Sequence, residues 1–309
     1  MSWIKYSCKR LLMLIPVIIG ITLILYFVIS LSAGSPATMI LGSDASVEQI
    51  QELERQMGLD KPIIIQYCRY MLNVCRGDFG TSWVSGYNVL KEFTQRFPYT
   101  LAVAVLATLW AVAIGIPVGI GAAVKQNGAF DYINTVIAML LFSVPAFWLG
   151  IMAQILFCLF LHWLPSSGVG SLKHYVLPAL ILGANTFASM IRMARTSMLD
   201  VIKQDYIRTA RAKGATESRT IVHHAVRNSL IPVITQVGIS FAGAVGGAIV
   251  TETIFAIPGI GMLLLNAVKS HDIPVVMGTV IFVAVIVGII NLAIDLICAV
   301  IDPRIDLAS

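Results

Sequence analysis

The residues able to do covalent chemistry are few in this chain, and none stands at a catalytic spacing. The sequence holds no Gly-Lys dipeptide and so no phosphate-cradling P-loop, no His-Glu-x-x-His pair, and no Gly-x-Ser-x-Gly elbow. Its five histidines are His162, His174, His223, His224 and His271. The adjacent His223 and His224 fall on different faces of a helix and lack a partner at i+4, so the expectation is a basic interfacial role and no metal site. Cys8, Cys158 and Cys298 sit in or beside apolar runs, where a thiol behaves as a small apolar group. Cys68 and Cys75 could pair only if the backbone turns between them; on one helix they stand about 10.5 Å apart, too far for a disulfide. These residues give no paired nucleophile and base, which excludes an intramembrane enzyme.

Acids at membrane depth carry more weight, because an ionised group there is costly and faces a bundle interior or water. Glu252 ends a long apolar run, and we nominate it, with Phe255, Pro258 and Gly259, for a pathway or gate. Asp295 lies one or two turns from Asp302 and Arg304, which suits an interfacial salt bridge or cap. A proton-coupled carrier would need more acids in mid-span, so the energy is expected to come from outside the subunit.

The elements that must position these residues follow from composition. In 309 residues, 58% are hydrophobic and 12% charged, and the mean hydropathy is +0.86. A soluble domain carries about 45–50% apolar and 25% charged residues, so the main solvent is lipid. Disorder and a disulfide-stapled secreted fold are excluded by the apolar content and by only five cysteines.

Six apolar stretches approach the roughly 20 residues that cross a bilayer. They run over 11–31, 97–124, 132–161, from 175 to at least 191, 229–251 and 275–301. The first, preceded by Lys5, Lys9 and Arg10, is longer than the 7–15 residues of a cleaved leader's core, so it reads as a retained helix. Runs of this length in lipid are helices. Pro117 and Pro145 should kink the second and third, and the pairs Gly115/Gly119 and Gly243/Gly247 suit close helix contact within the subunit or the lining of a path.

Charge sets the expected orientation. With both termini inside, the inner side holds Lys5, Lys9, Arg10, Lys125, eight basic residues from Arg192 to Arg227, and Arg304; the short outer loops hold only Lys173 and Lys269. The outer segment between the first two spans, residues 32–96, carries six basic and seven acidic residues and reads as a small extracytoplasmic subdomain. Ser46 can cap a helix that Gly58 ends, and a second helix should run from Ile63 to about Val74. The subdomain either caps the bundle or docks an external partner.

The inner segment from Arg192 to Arg227 reads as a helix continuing from the fourth span, a break at Gly214, and a second helix capped by Thr216 that runs to about Asn228. Its basic and apolar residues alternate at helical spacing, which suits docking into another protein's groove or lying on anionic lipid.

The residues Asp205-Tyr206-Ile207-Arg208-Thr209-Ala210-Arg211-Ala212-Lys213-Gly214-Ala215, followed by Arg227 and Pro232, closely resemble the EAA loop of ABC importer permeases in the dipeptide/oligopeptide/nickel branch. Gly77-Asp78-Phe79-Gly80-Thr81-Ser82 is similar to that branch's outer-loop motif. Glu252 to Gly261 resembles its fifth-helix exit, and Asn291 to Ile305 its C-terminal signature. Cys298 stands where the branch more often has an aromatic residue.

The resemblance implies an all-α membrane protein of six transmembrane helices in a prokaryotic plasma (inner) membrane, with both termini cytoplasmic. Residues 1–31 would form the N-terminus and first helix, 32–96 the subdomain, 97–301 a five-helix core with a coupling loop at about 200–228, and 302–309 a cytoplasmic tail. It implies a half-channel working by alternating access, paired with a second homologous permease, two cytoplasmic ATPases and an extracytoplasmic solute-binding protein. Lipid is a partner and nucleic acid is not. ATP and Mg would be bound by the ATPases, with no cofactor in this chain. Asp205, Tyr206, Arg208, Thr209, Ala210, Arg211, Ala212, Lys213, Gly214, Ala215, Arg227 and Pro232 would couple to the ATPases, Ala210 and Gly214 as small positions and Arg208, Arg211 and Lys213 as direct contacts. The expected cargo is peptide, with nickel or a metal chelate as the alternative. A stand-alone channel or secondary transporter is the rival from another class, with Glu252 and Asp295 as its path.

Overall fold

A computed structural model of the chain describes residues 3–31, 36–42 and 45–301, and these are helical with short connections. The β pairing among them is an isolated antiparallel bridge, Thr81 to Asn88. The elements are α1 (Trp3–Leu31), α2 (Pro36–Leu41), α3 (Val47–Met57), α4 (Ile63–Cys75), α5 (Val89–Val124), α6 (Ala129–Ser143), α7 (Ala146–Ala153), α8 (Lys173–Ile202), α9 (Asp205–Ala212), α10 (Glu217–Arg219), α11 (Val226–Gly247), α12 (Ile249–Ile254), α13 (Ile260–Lys269) and α14 (Ile273–Ile301). Wider π turns over 154–160 and 220–225 extend α7 and join α10 to α11.

Among the described residues five helical stretches are long and apolar enough to cross a membrane, and six if the bent pair α6 and α7 counts as one span. That pair is bent by 101°. Pro145 cannot donate to the helix ladder, and its ring forces Val144 out of the α region; Val144 stands at ψ 128°. The expected third span is therefore broken rather than kinked. α5, by contrast, runs through Pro98 and Pro117 as one 36-residue helix and starts well before Phe97, where Asn88 caps it through the Lys91 amide at 3.2 Å.

The bundle centre is the α5–α8 pair, faced with Ala104, Ala107, Ala111, Ala188 and Ala194, all nearly inaccessible. Small side chains bring the two backbones together. A Cβ on Gly119 would overlap the Ile191 carbonyl, and one on Gly183 would overlap Trp110 and the Ala107 carbonyl. Trp110 Nε1 donates to the Ala179 carbonyl at 2.8 Å across the same seam. Gly115 contacts α8 in the same way, but Gly243 and Gly247 have nothing within 4 Å of an added Cβ. The second glycine pair thus makes no close helix contact within the subunit, and α11 presents it outward.

α1 lies antiparallel along α14. Arg10 pairs with Asp295 at 3.0 Å, with the Tyr6 hydroxyl donating to the same carboxylate at 3.0 Å, and Gly288 admits Leu14. Tyr26 and Ile29 share a cluster with Ile273, Val275 and Met277. Asp295 is thus held in an ion pair with Arg10; Asp302 and Arg304, its expected neighbours, lie outside the described residues.

α3 and α4 follow the sequence closely. Ser46 and Gln49 form a reciprocal capping box, and Gly58 ends α3 at φ +74°. Cys68 and Cys75 both fall on α4 and are free thiols, as one-helix spacing requires.

Candidate functional site

The connection from α8 to α11 is built in three pieces. α8 ends at Ile202, not at Gly214, because Lys203 turns and Gln204 is extended at φ −70° and ψ 149°, so α9 begins afresh at Asp205. The continuous helix expected from the fourth span is thus cut short. α9 ends where expected: the Gly214 amide donates to the Arg211 carbonyl at 2.9 Å with φ +81°, a conformation that glycine alone adopts freely. Thr216 then caps the next helix through the Arg219 amide at 3.4 Å, and that helix runs past Asn228 into the fifth span as one stretch, 217–247.

Seven residues of α9 are polar, small or half-buried, and the eighth is its anchor. Ile207 is fully buried against Ala123 of α5, Met198 of α8 and Ala225, so the loop is seated on the ends of three long helices. Asp205, Tyr206, Arg208, Thr209, Arg211, Ala212, Lys213 and Gly214 are exposed, and Ala210 and Ala215 half-buried. The Tyr206 hydroxyl accepts from Asn228 Nδ2 at 3.0 Å, tying α9 to α11. Arg211 and Glu217 form a two-pronged ion pair at 2.6 and 3.0 Å across the Gly214 turn. The Arg211 hydrogen bonds hold the Glu217 carboxyl below its ordinary range. A depressed carboxylate stabilises above its unfolded value and is lost as pH falls through the folded one, so this clasp is intact at neutral pH and opens only in acid. Arg227 and Pro232 are exposed along α11.

Beside this loop the structure adds a pair that sequence reasoning missed. Asp131, in the first turn of α6, accepts two bonds from Arg195 of α8 at 2.6 and 2.8 Å and one from the Asn127 amide at 3.1 Å, with its side chain 4% exposed. It clasps the broken third span to the helix that carries α9. Removing one partner strands the other charge, so Asp131→Ala should cost about 3 kcal/mol, read as a lowered melting temperature of the purified protein. The exchange Asp131→Arg with Arg195→Asp should recover part of that loss.

At the opposite end of α11 the chain makes a hairpin of α12 and α13. The nominated residues lie inside it: Glu252 and Phe255 are buried, Gly259 is buried and Pro258 half-buried. The Glu252 carboxylate accepts the Thr100 hydroxyl of α5 through Oε1 and the Met262 amide through Oε2 at 3.0 Å, while Thr100 Oγ1 accepts the Ile260 amide at 2.9 Å. Two side chains thus cap the N-terminus of α13, where unpaired amides would otherwise be buried. A Cβ on Gly259 would coincide with the carboxylate. Phe255 and Ile257 pack on Val103 and Leu177, and Ala256 turns the chain at φ +49°. That conformation is strained for alanine, so Ala256→Gly should leave the protein as stable or up to about 1 kcal/mol more so, read by thermal melting.

The turn resembling the outer-loop motif is locked to the start of α14. Ser82 donates to Asp272 Oδ2 at 2.5 Å, and the amides of Trp83 and Val84 reach the same carboxylate at 3.2 and 3.4 Å. Phe79 packs against Phe282 with ring centroids 4.4 Å apart and planes tilted by 41°. Asp272 carried no sequence signal beyond being an acid before an apolar run. Asp272→Ala strands three donors and should lower stability by about 2–3 kcal/mol in the same melting assay.

The family model described as binding-protein-dependent transport system inner membrane component matches residues 115–307, and its N-terminal counterpart matches residues 3–104. The chain belongs to this family of inner membrane transport components. It is an ABC importer permease subunit of the peptide branch. Its relatives include the dipeptide transport system permease DppB of Alkalihalophilus pseudofirmus, 39% identical over 98% of this chain and 99% of that one. The glutathione transport system permease GsiC of Salmonella paratyphi A is 40% identical with the same coverage. In solved structures the permease fold matches a chain of the inward-facing MetNI methionine ABC transporter, with a TM-score of 0.60 and 18% identity, over 69% of this chain and 97% of that one. The permease is thus a multi-spanning inner membrane protein, and its relatives are transport subunits rather than ATPases.

Proposed function

We propose that this permease forms half of the translocation path of a peptide importer and works by alternating access, with both termini on the cytoplasmic side. In this reading α9 is the coupling helix. It enters a cleft on a partner ATPase, and its seat on α5, α8 and α11 through Ile207 carries the movement of the nucleotide domains into the bundle. That seat is the observation that carries the reading, because a loop lying loosely on lipid would need no buried anchor shared by three spans. Arg208, Lys213 and the Arg211–Glu217 clasp supply the polar contacts. The outward face of α11, with Ile239, Gly243 and Gly247, is the side offered to a second homologous permease.

ATP and Mg are bound by two ATPase subunits, and cargo arrives on a separate binding protein at the outer subdomain, residues 32–96. The relatives named for dipeptide and glutathione point to a short peptide as cargo. The test is purification of the chain from its native membrane followed by reconstitution in vesicles. ATPase subunits and a second permease should accompany it, and peptide-loaded binding protein should stimulate hydrolysis. A chain that purifies alone and moves solute without ATP would overturn the reading in favour of a channel or secondary carrier.

A further inference from the structure

The helix α4 packs on α1 at a depth that a water-exposed subdomain would not reach. The Tyr67 hydroxyl lies 3.1 Å from Thr22 Oγ1 and donates to the Ile19 carbonyl at 3.1 Å, and Tyr67 is 6% exposed. Thr22 is twelve residues from Arg10, whose ion pair with Asp295 marks one edge of the span. At 1.5 Å per residue that separation is about 18 Å, and the hydrocarbon core is about 30 Å thick, so Tyr67 meets α1 about 12 Å inside the far boundary.

About a quarter turn round from Tyr67, α4 is left bare. Ile64, Ile65 and Leu72 are 50%, 50% and 61% exposed, and Cys68 and Cys75 are exposed with them. Positions 64, 68, 72 and 75 recur at helical spacing, so they form one apolar stripe. No acidic residue occurs in α4 itself, and Lys61 just before it, Arg69 within it and Arg76 just after it are exposed and basic, against exposed Asp60 and Asp78 at the two flanks. Arg69 and Lys61 line a cavity of about 270 Å³ together with Asn73 and Trp83.

We propose that α4 is an interfacial membrane helix: its stripe of Ile64, Cys68, Leu72 and Cys75 is sunk among acyl chains, and Lys61, Arg69 and Arg76 hold lipid phosphates beside it. An apolar face entering about 5–10 Å below the headgroups, flanked by cations, is the arrangement such helices adopt. The occupant is lipid rather than a protein partner because the stripe faces outward at the depth of the α1 hydrocarbon segment, and because the flanking charges complement phosphate. The inference rests on α1 crossing the membrane, and it stands whether or not α9 couples to an ATPase.

Cys68 and Cys75 supply the probes. Single nitroxide labels are placed at 68, at 75, and at Glu52→Cys on α3 as a reference, with the other cysteines replaced by alanine. The intact complex is held in vesicles of phosphatidylethanolamine and phosphatidylglycerol. Collision with oxygen relative to a water-soluble nickel reagent should be at least about threefold higher at 68 and 75 than at 52. Replacing Lys61, Arg69 and Arg76 together by glutamine should lower that ratio at 68. Equal ratios at 68 and 52 would place α4 in water and overturn the proposal. Shielding of 68 from both reagents, present in the complex and lost on separating the subunits, would mean a protein covers the stripe and would also overturn it.

Discussion

Ile207→Asp should leave the importer assembled in the membrane and abolish stimulation of its ATPases by loaded binding protein. The side chain at 207 is fully buried in an apolar cluster with Ala123, Met198 and Ala225, so an aspartate there places a carboxylate among apolar side chains. Burying an unpaired charge costs several kcal/mol, so α9 leaves its seat instead. Eight residues do not hold a helix without tertiary support, whereas α8 and α11, with 30 and 22, are held by the bundle. A loss of about 3 kcal/mol in docking corresponds to more than a hundredfold fall in the seated population. Transport in vesicles should fall to background while the subunits still purify together. Ile207→Val, which removes one methylene for about 1 kcal/mol, should keep most of the activity. Gly214→Val should fall between them, since an added side chain meets open space and the cost is backbone strain alone at φ +81°. Full stimulation in Ile207→Asp would mean that force enters the bundle elsewhere.

Local signals in the sequence were sufficient wherever one residue type performs one local task. Ser46, Gly58, Gly214 and Thr216 start or stop helices where capping chemistry places them, and the apolar runs mark the spans. Two boundaries moved because hydropathy is a poor guide to a helix whose end leaves the lipid. α5 starts at Val89 since Asn88 caps it, although Lys91, Glu92 and Arg96 interrupt the apolar pattern there. α8 stops at Ile202 with neither proline nor glycine to announce it, and the turn that follows leads into α9 with Ile207 buried. The long-range pairs were not legible. Asp131 and Arg195 are 64 positions apart, Ser82 and Asp272 190, and an acid's partner depends on which helices pack together. Glu252 stood out as an acid at membrane depth, but only the fold supplies Thr100 and the α13 amides that explain its burial.

Those contacts make Glu252 the site of the second large effect, and they separate two roles that the residue could have. A carboxylate that lines a path must be reachable from it, and Glu252 is fully buried with both oxygens bonded. Glu252→Ala therefore removes two acceptors and leaves the Met262 amide and Thr100 hydroxyl stranded, each costing about 1–3 kcal/mol. The α12–α13 hairpin should come away from α5, and the purified protein should melt markedly earlier. Glu252→Gln keeps the shape but offers one acceptor where the site needs two. Its one oxygen can accept from the Thr100 hydroxyl or from the Met262 amide but not both, and its NH2 group then faces the other donor, so it should recover only part of the loss. Thr100→Val breaks the same network from the other side, and combining it with Glu252→Gln should cost less than the two separately by about 1–2 kcal/mol, as for residues that share a bond. Gly259→Ala should be as damaging as Glu252→Ala, because the new methyl occupies the carboxylate's place. If Glu252→Ala instead melts like the unaltered protein and changes only peptide flux, the carboxylate acts on the path and the hairpin is held by Phe255 and Ile257 alone.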